Sequence, residues 1–74
     1  MNRYKNLGGD SGVIGYSIEV DSIEVQFHDG SIYGYTVAST GLANINKMKI
    51  LAERGEGLNS FISRVVKKNF AYKR

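Results

Sequence analysis

The 74-residue chain has no cysteine, no proline and a single histidine, His28. Without cysteine there can be no disulfide framework and no thiolate metal site. Many small secreted domains need such staples, so a reducing compartment, the cytoplasm, is the expected setting. A Cys-His nucleophile pair is excluded. A Ser-His-Asp set would have to use His28 beside Asp29 in a turn, where solvent removes the buried geometry that orients a triad. The carboxylates Asp10, Glu19, Asp21, Glu24 and Asp29 are scattered and read as solvated faces and turns rather than an acid/base pair or a metal cluster. No apolar run follows Met1-Asn2-Arg3-Tyr4-Lys5-Asn6, so no signal peptide is expected. No stretch approaches the roughly 20 apolar residues of a membrane span. These absences lead to an expectation of a non-enzymatic protein without metal, cofactor, membrane association or small-molecule substrate.

Hydrophobic residues make up 42% of the chain and charged residues 23%, ordinary values for a folded protein. At this length one domain is expected, with a thin core, because a domain of about 60 residues buries only about 60% of its unfolded surface. The net charge of +3 hides an asymmetry. Residues 1–46 set Arg3 and Lys5 against five acids, a balance of −3. Residues 47–74 set eight cations against Glu53 and Glu56, a balance of +6. Sign asymmetry of this kind points to an anionic partner and says nothing about fold.

Residues 1–12, polar and rich in Gly and Asn, read as a flexible lead-in, and residues 13–74 as a single domain. Val13-Ile14-Gly15-Tyr16-Ser17-Ile18 is short, apolar and β-branched, as a first strand would be. After a turn at Val20-Asp21-Ser22, Ile23, Val25 and Phe27 alternate with Glu24, Gln26 and His28, the period of a half-buried strand. Asp29-Gly30 signals a hairpin, and Ile32 to Val37 returns as a third strand.

The hairpin can close in two registers. A two-residue loop at Asp29-Gly30 pairs Phe27 with Ile32 and sends Tyr33 and Tyr35 to the face opposite Phe27. A three-residue loop, His28-Asp29-Gly30 with Gly30 left-handed, pairs Phe27 with Ser31 and Val25 with Tyr33. A one-residue slip moves every side chain across the sheet. The three-residue loop gathers Ile23, Val25, Phe27, Tyr33, Tyr35 and Val37 on one side and is the expected closure.

Ser39-Thr40-Gly41 is suited to cap a first helix, in which Leu42, Ile45, Met48, Leu51 and Ala52 form an apolar stripe and Gly55 supplies the stop. A second helix follows Gly55-Glu56-Gly57, with Leu58, Phe61, Ile62, Val65 and Val66 at amphipathic spacing and Asn69 as its end. The expected fold class is α+β: a three-stranded antiparallel β-meander followed by two helices packed on one face.

Ile23-Glu24-Val25-Gln26-Phe27, then Asp29-Gly30, then Tyr33-Gly34-Tyr35, resembles the KTSC domain, named for the C-terminus of some lysyl-tRNA synthetases and found mostly as small stand-alone bacterial proteins. Ile14-Gly15-Tyr16 is similar to that family's first strand. Gly55 with Leu58-Asn59 and Ile62 is similar to its Gly-x-x-Phe-Asn-x-x-Ile element, and Phe70-Ala71-Tyr72 to its closing aromatic pair. The similarity runs over about residues 11–72, with Phe27, Gly30, Tyr33, Tyr35 and Asn59 as its motif positions. The chain departs from the family in having Val37-Ala38 where Val-Pro is common, and closing aromatics that stand late. The family's function is unsettled; its synthetase context implies RNA binding.

Glycine patterns are weak signals here. Gly9-Asp10-Ser11-Gly12 fits a GxxG clamp, but that loop must join two helices and here precedes a strand. Tyr33 and Tyr35 would form a base-stacking platform if exposed, whereas the three-residue loop makes them core with hydroxyls at the rim. The best candidate interface is basic. Lys47, Lys49, Arg64, Lys67, Lys68, Lys73 and Arg74, with Tyr72 among them, lie on the helices and tail and suit the phosphates of RNA or another anionic polymer. The ordinary alternative is a solvated helix surface. A different class of function is a protein-interaction module or a small homo-oligomer, for which Ile18, Ile32 and Ile50 lie off the apolar stripes.

Overall fold

A computed structural model describes residues 1–9 and 11–74; Asp10 lies outside the described residues. The fold is α+β. An antiparallel sheet in the order β1-β2-β3-β4-β5 comprises β1 (Asn2–Arg3), β2 (Val13–Ile18), β3 (Ser22–Phe27), β4 (Ile32–Thr36) and β5 (Tyr72–Lys73). The helical layer holds a single turn α1 (Val37–Thr40), the main helix α2 (Leu42–Arg54), and a short α3 (Leu58–Phe61) that widens into a π-helical turn, Ile62–Val66. No helix among the described residues is long and apolar enough to cross a membrane.

The central meander follows the alternation of its side chains. Val25 pairs with Tyr33 and Ile23 with Tyr35. Phe27 N–H donates to the Ser31 carbonyl at 2.9 Å, and Gly30 holds φ 91. This is the three-residue closure, with glycine where a side chain would be strained. Ile23, Val25 and Tyr35 therefore point into the core with Val13 from β2, all at most 1% exposed. Tyr33 and Phe27 lie on the same face near its open end and are only half-buried.

Two edge strands extend the expected three-stranded meander. Part of the N-terminal segment contacts the helical layer. Tyr4 is buried, its hydroxyl accepts the Leu58 N–H at 3.3 Å, and Leu7 N–H donates to the Gly55 carbonyl at 2.7 Å. At the other edge, Arg74 and Ile32 exchange backbone hydrogen bonds of 2.7 and 2.8 Å. A strand of two residues has no periodicity to detect, so each edge is held by one tyrosine and a few backbone bonds.

The helical expectations also need adjustment. Ser39 and Thr40 do not cap α2. Thr36 caps α1 in a reciprocal pair with Ser39, each backbone N–H donating to the other's hydroxyl at 3.1 Å. Gly41, at φ 96, separates α1 from α2, which leaves Leu42 at the exposed start of α2. Ile45, Met48, Leu51 and Ala52 are buried as the stripe predicts, and Gly55 ends the helix in the left-handed conformation.

In the second helix Leu58, Ile62 and Val66 are buried, while Val65 is 47% exposed. A 3.6-residue turn drifts by about 40° over every four residues, which would rotate an i, i+4, i+8 row out of the core. The wider turn cancels that drift. Lys67 N–H donates to the Ile62 carbonyl at 2.6 Å, an i to i+5 bond that ends the helix before Asn69.

Candidate functional site

Beyond the end of this helix the chain makes a tight reversal. Lys67 has φ 46 and ψ −115, and Asn69 N–H donates to the Val66 carbonyl at 2.8 Å. Val66–Asn69 is thus a type II′ turn with Lys67 at its first central position, which such turns give to glycine. Keeping a side chain in so sparsely populated a conformation costs on the order of 1–3 kcal/mol, a kind of strain that clusters at functional sites. The Thr40 hydroxyl donates to the Asn69 carbonyl at 2.9 Å and fixes the exit from the turn.

Phe70 then packs edge-on against Tyr33, with ring centroids 4.8 Å apart, and against Tyr35 at 6.3 Å. Phe27 meets Tyr33 in the same geometry at 5.4 Å. This aromatic cluster floors an open groove of about 720 Å³ between the β3–β4 hairpin and the segment after the second helix. Lys67 and Lys68 come to its rim from the turn, Lys73 from β5, and Asn59 from α3. The Lys73 ammonium stands over the Tyr33 ring, 5.2 Å from its centroid. Asp29 lies on the hairpin side, where its carboxylate accepts the Ser31 hydroxyl at 2.7 Å and the Ser31 N–H at 2.9 Å. These bonds hold its pKa below the ordinary aspartate range, with smaller contributions from His28 and Lys73.

The groove collects only part of the basic set read from the sequence. Lys67, Lys68 and Lys73 reach it. Lys49 instead donates to the Val20 carbonyl at 2.8 Å, at the β2–β3 turn. Lys47 and Arg64 are exposed on the helices and are not among the groove residues. Tyr72 and Arg74 belong to the opposite face of the sheet. There the Tyr72 hydroxyl donates to a Glu24 carboxylate oxygen at 2.5 Å, and Arg74 meets both carboxylate oxygens of Glu24 at 3.0–3.2 Å. The Arg74 hydrogen bonds, then that of Tyr72, hold the Glu24 pKa below its ordinary value.

Of the motif positions, Phe27, Tyr33, Tyr35 and Asn59 line the groove, and Gly30 makes the adjacent turn. Tyr35 is core, as the expected register requires. Burial pushes its phenol up to about 12. Tyr33 departs from that expectation, since it is only half-buried and lines the groove. His28 and Asp29, read as plain turn residues, also line the groove, where the hairpin end approaches the Lys67 turn. No sequence period encodes that approach. Ile18, Ile32 and Ile50 do not assemble into one patch. Ile18 pairs with Ile23 and packs against the core, Ile32 lies on the opposite sheet face beside Gln26, and Ile50 is exposed on α2.

No protein-family model matches the chain, and comparisons with curated proteins and with solved structures return no match either.

Proposed function

We propose that this is a small non-enzymatic nucleic-acid-binding domain, with RNA as its partner, and that it binds through the aromatic groove rather than along the helix surface. The observation that carries the reading is the convergence of Lys67, Lys68 and Lys73, from two separate segments, on a floor of Phe27, Tyr33 and Phe70. Cations beside aromatic rings are what a phosphate backbone with its bases requires, and an ordinary solvated helix face has no need of the rings. The strained backbone at Lys67 supports the same reading, since glycine would relax that turn and remove the charge. The KTSC resemblance is proposed with it, because four of its five motif positions, Phe27, Tyr33, Tyr35 and Asn59, border this groove.

Affinity for an RNA oligonucleotide, measured across salt concentrations, tests the proposal. Three lysines on phosphates give a log–log slope of roughly −2 at about −0.7 per contact on a single strand. Lys67→Gln and Lys68→Gln each weaken binding and flatten that slope, whereas Lys47→Gln and Arg64→Gln leave both unchanged. A flat salt response, or equal losses from all four variants, refutes the groove as the binding surface.

A further inference from the structure

The groove's occupant can be specified more closely, on the reading just given. We infer that the groove takes one unpaired base of a single strand, stacked on Tyr33 in the place that the Lys73 ammonium holds in the free protein.

Three observations lead there. Tyr33 is the half-buried ring at the centre of the aromatic cluster, meeting Phe27 at 5.4 Å and Phe70 at 4.8 Å edge-on, so its orientation is fixed from two sides. Over the ring stands Lys73, an exposed residue of the edge strand β5 whose ammonium lies 5.2 Å from the ring centroid. A solvated cation over a tyrosine is held more weakly than a base stacked on one, so the base displaces it. The displaced ammonium does not lose its role, because the phosphate joined to the incoming base supplies a new counter-charge. Lys67 and Lys68, presented by a turn that is strained with lysine in it, hold the neighbouring phosphate. A groove of about 720 Å³ lies within the roughly 300–1,000 Å³ of sites for drug-sized molecules, which suits one nucleotide unit, and a base held in a duplex stack has no free face to offer the ring.

Lys73 therefore acts as an exchangeable cap, stacking on the ring when the groove is empty and meeting a phosphate when it is filled. The exchange makes the site selective for unpaired bases without a sequence code, since every base has a face to stack.

Proton–carbon NMR of the full chain reads this directly. Ring current from Tyr33 shifts the Lys73 ε-methylene upfield of the other lysines in the free protein. Titration with oligouridine of about ten nucleotides, within the usual single-strand site size, returns that signal to the ordinary lysine position and moves the Tyr33 ring protons. Oligodeoxythymidine does the same, because the site reads base and phosphate, and an RNA duplex leaves Lys73 on the ring; a duplex that releases Lys73 as readily as the single strands overturns the stacking exchange. Tyr33→Leu lowers single-strand affinity on the order of 10- to 100-fold with the salt slope unchanged. Lys73→Gln reduces the slope by about 0.7. Oligouridine that shifts Lys67 and Lys68 while the Lys73 signal stays upfield overturns the stacking exchange and leaves the groove reading intact. No shift at any of these lysines at low salt overturns both.

Discussion

Gly34→Ala is the sharpest test of how the last strand is held. A β-carbon at Gly34 would lie 2.1 Å from Cζ of Tyr72 and 2.3 and 2.5 Å from the two adjoining ring carbons, so the tyrosine ring lies flat on the glycine. This is aromatic cover of a strand glycine, on the face away from the helices. The alanine methyl must push the ring off the sheet. The ring then loses its contact with Gly34 and the phenol its bond to Glu24. Hydrogen bonds to charged groups contribute about 1.5–3 kcal/mol when well shielded, and this one is partly solvated, so a loss of about 1–2 kcal/mol is expected. For a domain of this size each kcal/mol lowers Tm by about 4–8 °C. Repeating the substitution in a Tyr72→Ala background isolates the contribution of the ring. With the ring gone, alanine has room, and replacing glycine within a strand is then stabilising by about 0.5–1 kcal/mol. Urea unfolding of the four proteins closes the cycle. A Gly34→Ala change that is harmless with Tyr72 present, or equally damaging in both backgrounds, would falsify the account.

Other expectations concern protonation and strain. The folded pKa of Glu24 is depressed by Arg74 and Tyr72, so its contribution is complete above the ordinary glutamate value of about 4.3 and is lost as pH falls through the folded value. Urea midpoints between pH 7 and pH 3 should fall less for Glu24→Gln than for the unmodified chain, and parallel curves count against the pairing. Tyr35 has the opposite sign. Its phenol is raised to about 12, so the stability it lends is complete below pH 10 and declines as pH rises from there towards 12. Tyr35→Phe should show a shallower alkaline loss, and an identical loss would remove Tyr35 as its source. Lys67→Gly should stabilise the fold by about 1 kcal/mol by relaxing the φ 46 backbone, while weakening nucleic-acid binding. A destabilised glycine variant would show that the turn is not strained.

Much of the fold was legible wherever side chains repeat. Alternation through Ile23, Val25 and Phe27, together with the left-handed requirement at Gly30, gave the hairpin register, and with it the burial of Tyr35. The stripe of Ile45, Met48, Leu51 and Ala52 marked α2. The edges were not legible, because β1 and β5 hold two residues each and depend on single distant contacts, Tyr4 to Leu58 and Tyr72 to Glu24 and Gly34. Val65 was misread because its spacing suits 3.6 residues per turn, whereas the core row of Leu58, Ile62 and Val66 demands a wider turn. For the candidate site, residue types pointed to Lys67, Lys68 and Lys73. Their separation from Arg74 and Lys49 depended on the sheet face that Arg74 takes and on the Val20 carbonyl that Lys49 reaches.

The Lys67 turn has a consequence for how this sequence responds to selection. Its present residue is the less stable choice for its backbone, and a two-step codon change from lysine to glycine removes the strain and the charge together. Random mutagenesis followed by a heat challenge alone should therefore enrich glycine at position 67. A screen that also demands nucleic-acid retention should hold lysine there and seek stability elsewhere, leaving this one position as a record of which pressure was applied.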